Sequence, residues 1–509
     1  MFLDLLRKKL KQKDLYHYDE KSNAKEIEIK KQQIGSNIHH TISIFEEIYS
    51  IPNNNDVNIR EFNISSLNKK AAILAITSIT DSNAIDKYVL VPLLTNKDSS
   101  KNIVDILEIS DVSTFHIIED IINKINDGNA VLFVDGLTSA YCVSVSDFQN
   151  RDIASSENEI VIKGPKEAFT ENLTANISLI RKRIRNEKLV IESTLISKRS
   201  HNKIHVVYIK DLVNKQLLTN IKTRINNLDV DSIQNIPLLE QLIEDRQVSI
   251  FPTILYTERP DRAVSFLEDG YIVLLMENSP ASLVLPATFW SFFHAPEDHY
   301  MRYIYAIFTR ALRILAIFIT LFTGAIYVGL TNYHTEMIPP DLLLAVASTR
   351  DKVPFPAFVE VFLMEIAFEL IREGGLRVPT PIGPTIGIVG ALILGQAAVQ
   401  ANIVSPIVVI VVALSGLSSF VIGDISMNFA VRLCRFLFLL SSALFGFYGM
   451  AATFTAGVFY LVSIKSFGVP YLSPMTPNYI SSKDTLFRIR LTKEMFRPGY
   501  LKQKDIKKN

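Results

Sequence analysis

Four carboxylates fall where an apolar helix is expected. The residues from Pro354 to Arg372 are mostly those of a buried or membrane helix, yet Glu360, Glu365 and Glu369 lie within the stretch and Glu373 follows it. At about 100° per residue, Glu365, Glu369 and Glu373 lie within about 80° of one another, one turn apart each. Phe362, Leu363, Ile366 and Leu370 take the opposite side. A lone carboxylate facing lipid is too costly, so this stripe must meet water, a counter-charge or another subunit. Copies set around an axis would stack the carboxylates into rings, which is the chemistry of cation conduction. Two other readings stay open. The helix could lie on the bilayer surface, or Arg372 and Arg377 could neutralise the stripe.

Other polar residues carry weaker signals. Gln396 and Gln400 are four apart in an uncharged run, and either line a polar path or hydrogen-bond between helices. Glu258, Arg259, Asp261 and Arg262 surround Pro260; paired in a tight turn, they would make a structural junction between soluble and membrane parts. His294 and His299 stand beside Glu297 and Asp298, where a solvated loop is favoured over a metal site. There is no P-loop, no glycine fingerprint after a strand, no HExxH and no GxSxG, so neither an enzyme nor a cofactor is expected. Cys142 and Cys434 read as ordinary buried thiols.

The elements that must hold these residues divide the chain in two. Val378–Gly423 has no Asp, Glu, Lys, Arg or His, and Ile314–Tyr333 and Phe436–Ile464 are also uncharged. A helix crosses a bilayer with roughly 20 apolar residues. The expected membrane part is 311–465, with spans near 314–333, 385–401, 405–423 and 436–464. The acidic stretch 354–372 is a further candidate. The last run must double back near Gly446-Phe447-Tyr448-Gly449 if the basic C-terminal tail, 466–509, is to lie on the same side as the N-terminal part. If the acidic stretch crosses, Arg372, Arg377, Arg432 and Arg435 fall inside and the turn at Asn402 outside; the alternative, a non-crossing acidic helix and four spans, puts too many arginines outside. The net charge of +1 gives no support to nucleic-acid binding.

Before residue 300 the pattern is α/β. A charged tail, 1–34, precedes a first subdomain, 35–163, with a helix from Ile38 to Tyr49, a strand from Ala71 to Ile76 and a helix from Phe115 to Ile125. Asp127-Gly128 and Asp135-Gly136 bracket apolar runs as hairpin signals. Asn126–Leu132 is matched by Glu268–Leu274, which suggests a related second subdomain, 201–285. Between them, 164–200 is a basic linker helix (Arg181, Lys182, Arg183, Arg185, Lys188), read as a solvated connection rather than a lipid contact. Residues 286–310 concentrate Phe289, Trp290, Phe292, Phe293, Tyr300, Tyr303 and Tyr305, an expected interfacial belt. Arg302, Arg310 and Arg313 there would meet acidic lipid. No apolar leader is evident, so the N-terminal part is expected on the cytoplasmic side.

The segments Gly164–Asn172, Asn176–Arg181, Thr257–Arg262, Arg372–Pro379, Gly390–Val399 and Ser405–Ile410 form a recognisable set. Taken together they resemble the A subunit of GerA-type spore germinant receptors. The one departure is Glu373-Gly374-Gly375, where the family has Glu-Ala-Gly. The resemblance implies a multi-pass protein of the spore inner membrane. Its expected partners are a transporter-like B subunit that holds the nutrient, a lipoprotein C subunit, further copies of itself, and lipid. It also implies passage of monovalent cations on nutrient binding. The rivals are a non-conducting scaffold or signal-relay subunit, and a secondary transporter.

Overall fold

The computed structural model describes residues 27–98, 100–148, 156, 158–377, 393–481 and 484–508. Most of the charged tail and Val378–Leu392 therefore lie outside the described residues, and with them the first part of the expected 385–401 span. Of the tail, Ile34 is buried and donates its N–H to His116 O.

The first lobe starts with α1 (Ile38–Tyr49), whose Ile38, Ile42, Phe45 and Ile48 are buried as their spacing requires; Asn37 caps it. Strands β1 (Val57–Ile64), β2 (Lys69–Ile76) and β3 (Val112–Phe115) follow, then α2 (Ile118–Asn126), β4 (Ala130–Val134) and β5 (Ala140–Val143). The antiparallel order is β1-β2-β4-β5-β3. Phe115, expected to open α2, ends β3 instead, because Val112–Phe115 pairs with β5. Asp135-Gly136 turns β4 into β5 with Gly136 at φ 80°. Asp127-Gly128 instead closes α2.

The second lobe holds α3 (Leu173–Arg183), β6 (Leu189–Ile196), β7 (Asn202–Ile209), α4 (Lys215–Asn226), α5 (Ile236–Ile243), β8 (Leu255–Thr257), α6 (Pro260–Glu268), β9 (Ile272–Met276) and β10 (Ser282–Leu285). Its order, β6-β7-β9-β10-β8, repeats that of the first lobe position for position. Strand β6 lies inside the stretch expected as linker: the sheet begins at Leu189, not 201. The first lobe covers the free edge of β6. Asn55 N donates to Ile191 O (2.9 Å), and Asn54 Nδ2 to Leu189 O (3.2 Å). The basic residues of the linker are neutralised within the chain. Arg181, buried, meets Asp56 at 2.9 Å, Lys182 and Arg183 meet Glu167, Arg185 meets Asp127, and Lys188 meets Asp211.

Below the second lobe stand α7 (Tyr303–Asn332), α8 (Pro340–Arg350), α9 (Ala357–Arg377), α10 (Pro406–Ser419) and α11 (Ile425–Ser463). Helices α7 and α11 are long and apolar enough to cross a membrane; α10, at 14 residues, is shorter. Helix α7 starts eleven residues before the expected span, because Tyr303–Arg313 continues the same helix onto the lobe. Helix α11 is broken at Gly446 (φ 60°, ψ −141°). There it folds back, bringing Gly449 so close to Ser441 O that a Cβ would sit 2.2 Å from it. Phe322 of α7 accordingly touches both arms, with ring centroids 4.8 Å from Phe438 and 6.1 Å from Phe454. Met427 and Val431 at one end of α11 and Ile464 just past the other all join the core of the second lobe.

Two expectations are corrected at the lobe–bundle joint. Of the aromatic belt, Phe292 and Phe293 are buried in the core of the second lobe, Phe289 and Trp290 pack against it, and Tyr300 bonds Asp261; Tyr303 and Tyr305 are exposed. The sequence here fills a protein interface before it meets the bundle. The basic C-terminal segment is likewise bound as a strap. Tyr471, Tyr500 and Leu501 enter the same core, and Arg488 donates to Met301 O and His299 O.

Candidate functional site

Inside the bundle the carboxylates of α9 turn toward arginines of α11. Arg435 Nη1 lies 2.8 Å from Glu365 Oε2 and its Nη2 2.6 Å from Glu369 Oε1. Arg432 Nε donates to Glu369 Oε1 at 3.0 Å, and its Nη2 pairs with Oε2. The Arg435 and Glu365 side chains are 2% and 1% exposed. Among the described residues neither carboxylate oxygen of Glu365 has a well-aligned hydrogen bond, so the ion pair is their main compensation. One turn above, Arg350 Nε donates to Glu360 Oε1 (3.2 Å) and Ser405 N to Oε2 (2.8 Å), which ties α8 and the start of α10 to α9.

The neutralising cations are not those expected from the sequence. Arg377 does pair with Glu373 at 2.7 Å, but that i,i+4 pair is exposed. Arg372 turns away to Ser419 Oγ (2.8 Å) and stacks 3.8 Å above the Phe420 ring. The work falls to Arg435 and Arg432, more than sixty residues further along the chain. Phe362, Leu363, Ile366 and Leu370 are exposed on the outer side of α9. In a single chain, then, Glu360, Glu365 and Glu369 face the chain's own bundle, and Glu373 stands outside the network. Gln396 and Gln400 are both exposed.

The junction residues form a second buried site. Pro260 is not in a tight turn: it occupies the first turn of α6, where its missing N–H costs nothing. Arg259, 1% exposed, donates to Asp261 Oδ2 (2.8 Å), Pro165 O (2.7 Å) and Glu159 O (3.3 Å). Arg262 donates to Glu159 Oε1 (2.5 Å), Ser291 O and His294 O. Glu258 accepts from Ser156 Oγ (2.9 Å) and Asn158 Nδ2 (2.5 Å). Arg259 and Asp261 pair with each other as expected, while Glu258, Arg259 and Arg262 reach outward and clamp the connection from the first lobe and the lead-in to α7 onto the second lobe.

Arg310 and Arg313, expected at lipid, bind protein. Both reach Asp298 (2.9 and 2.8 Å), and Arg310 also pairs with Asp484 of the strap. Burial pushes the Asp298 carboxyl up, but hydrogen bonds and charge from Arg313 and Arg310 outweigh it and hold the group below its ordinary range. His294 is not in a solvated loop: its Nε2 bonds Thr485 O at 2.8 Å, and burial beside Arg310 pushes it down to about 4. Sequence reasoning missed Asp484 altogether, and it named Asp298 only as a neighbour of His294 and Arg432 and Arg435 only as markers of sidedness, not as ion-pair partners. Their one signal was charge placed beside or inside apolar runs.

The fold and site define a class: a two-lobed α/β domain seated on a bundle of apolar helices whose buried carboxylates are paired with arginines. The chain belongs to the GerA family of Bacillus/Clostridium spore germination proteins, whose profile matches residues 44–500. It is 37% identical to spore germination protein KA of Bacillus subtilis over 471 residues, covering 91% of this chain and 87% of that one. It is 36% identical to spore germination protein B1 of the same organism, covering 90% and 95%. It is 34% identical to GerLA of Bacillus cereus, covering 89% and 93%. A crystal structure of the N-terminal domain of the A subunit of the Bacillus megaterium germinant receptor GerK3 aligns with 51% of this chain and 98% of that one, at 27% identity and a TM-score of 0.40. The chain's role is in spore germination, within the germinant-receptor A-subunit family.

Proposed function

We propose that this chain is the membrane subunit of a nutrient-responsive receptor in the spore inner membrane, and that copies of it assemble into a ligand-gated monovalent cation channel. Its partners in this reading are a nutrient-holding, transporter-like B subunit and a lipoprotein C subunit. The observation that carries the reading is the row of ionisable groups on α9, held inside an otherwise apolar bundle. Such residues in a membrane segment mark an ion path by default. The single chain is then the closed state, with Glu365 and Glu369 held by Arg435 and Arg432, and Glu360 by Arg350. Opening frees carboxylates toward an axis shared between copies. Nutrient can drive this only through its differential affinity for the two states.

The multi-pass arrangement draws support from the return of α11 at Gly446, whose arms of about 31 and 25 Å match a bilayer core. Arg310, Arg313, Arg372, Arg377, Arg432 and Arg435 cluster toward the lobe end of the bundle, which favours a cytoplasmic, core-side position for the soluble domain and the strap. One observation favours the non-conducting scaffold: Glu360, Glu365 and Glu369 already have arginine partners within one chain.

Cation flux through liposomes holding the purified chain, wild type against Glu369→Gln at equal oligomer content, separates the two. Flux that the substitution alters places the path on α9. Flux indifferent to it keeps a channel but removes α9 from the path. Silence even with both partner subunits and nutrient present leaves the scaffold.

A further inference from the structure

A cavity of about 390 Å³ lies where three parts of the chain meet: α6, the lead-in to α7, and the C-terminal strap. It is separate from the α9 network and plays no part in the channel reading. Asp261 lines it from α6, Trp290, His294 and Tyr300 from the lead-in, and Asp484 and Tyr500 from the strap.

The unmet hydrogen bonds of the cavity are acceptors. Asp261 is 4% exposed at its side chain. Its Oδ2 takes bonds from Arg259 (2.8 Å) and from the Tyr300 hydroxyl (2.6 Å). Its Oδ1 is buried with no hydrogen-bond partner among the described residues. A buried carboxylate oxygen without a donor is costly, so the site favours something that supplies one. His294 adds a second acceptor. A carbonyl can only accept, so Nε2 carries the proton that reaches Thr485 O and Nδ1 keeps its lone pair.

The lining offers little to an anion. Arg262 is committed to Glu159 and two carbonyls, and Lys508 to Asp269 and Glu494, both at 2.8 Å. No group of three or more His, Cys, Asp or Glu residues suited to a metal ion occurs among the described residues. Phe266, Tyr271, Trp290, Tyr300 and Tyr500 add aromatic surface to the lining, and ring faces attract organic cations.

We propose that this cavity binds a small organic ammonium compound, its N–H groups donating to Asp261 Oδ1 and its carbon body against Trp290 and Tyr300. The volume lies within the range usual for small-ligand pockets. The strap walls the same cavity through Asp484 and Tyr500, so occupancy is linked to whether the strap stays closed on the lead-in to α7.

Benzylamine, benzyl alcohol and benzoate, titrated by calorimetry into the purified full-length chain, test the assignment. Saturable binding of benzylamine, with the alcohol and benzoate failing to compete, is the expected result. Asp261→Asn should weaken benzylamine by about 10–100-fold, the loss of one charge-assisted hydrogen bond. Since that change also deprives Arg259 of its carboxylate, Ser265→Trp provides a second arm: Ser265 is exposed, lines the cavity and belongs to no ion pair, so the larger side chain fills the space while Asp261 and Arg259 are kept. Equal binding of benzylamine and benzyl alcohol would overturn the proposal, as would no binding by the wild type or full binding by the Ser265→Trp protein.

Discussion

Replacing Arg435 by methionine removes the cation that holds two carboxylates inside the bundle. The arginine side chain is 2% exposed and pairs with both Glu365 and Glu369. Without it Glu369 keeps Arg432, but Glu365, 1% exposed, has no other ion pair among the described residues. Stranding one buried charge costs about 3–5 kcal/mol. Glu365→Gln is the milder change, because Arg435 keeps Glu369; its cost is about 1–2 kcal/mol. For a unit of this size each kcal/mol shifts the melting temperature by about 2–4 °C, so Arg435→Met should lower it by about 6–20 °C and Glu365→Gln by only a few degrees. The double variant should recover about 0.5–3 kcal/mol relative to the sum of the two, since neither charge is then left alone. Loss of the native size-exclusion peak after heating in detergent reads all three. Equal losses for the two single variants, or strict additivity in the double, would refute the pairing as the source of the stability.

Four further outcomes follow from the geometry. Gly446→Ala should destabilise by about 1–3 kcal/mol, because φ of 60° with ψ of −141° is a glycine conformation and the new Cβ would sit 3.0 Å from Tyr333 and His334. Gly457→Ala, with open space around it, should be neutral or slightly stabilising in the same melting assay. Arg259→Ala should cost about 3–5 kcal/mol and free the 158–167 connection, visible as faster tryptic cleavage at Lys163 and Lys166. His294, at about 4, is stabilised as the neutral ring in the folded protein; that contribution is full above the ordinary histidine pKa near 6.5 and is lost as pH falls from there toward 4. His294→Gln should flatten the fall in melting temperature between pH 7 and pH 5, and an unchanged slope would assign that fall to other groups.

Much of the architecture was legible along the chain. Repeated Asp-Gly turns between apolar runs pointed to two related lobes, because positive-φ turns and strand periodicity are local properties. The glycine pair near Gly446 marked the reversal of the last apolar run for the same reason. The boundaries were less legible: strand β6 hid in a basic stretch because its arginines and lysines are paired by Asp56, Glu167 and Asp211 from elsewhere.

The sequence by itself determined that acidic residues lie on one side of an apolar helix, since spacing alone sets the face. Only the tertiary structure decided what that face meets. Arg435 reaches Glu365 from seventy positions further along the chain, Asp484 reaches Arg310 from near the C-terminal end, and Asp261 borders a cavity closed by the C-terminal strap. The physical reason is that a buried charge is compensated through space: helix periodicity fixes the direction in which a side chain points, while the packing of distant segments fixes which counter-charge stands there.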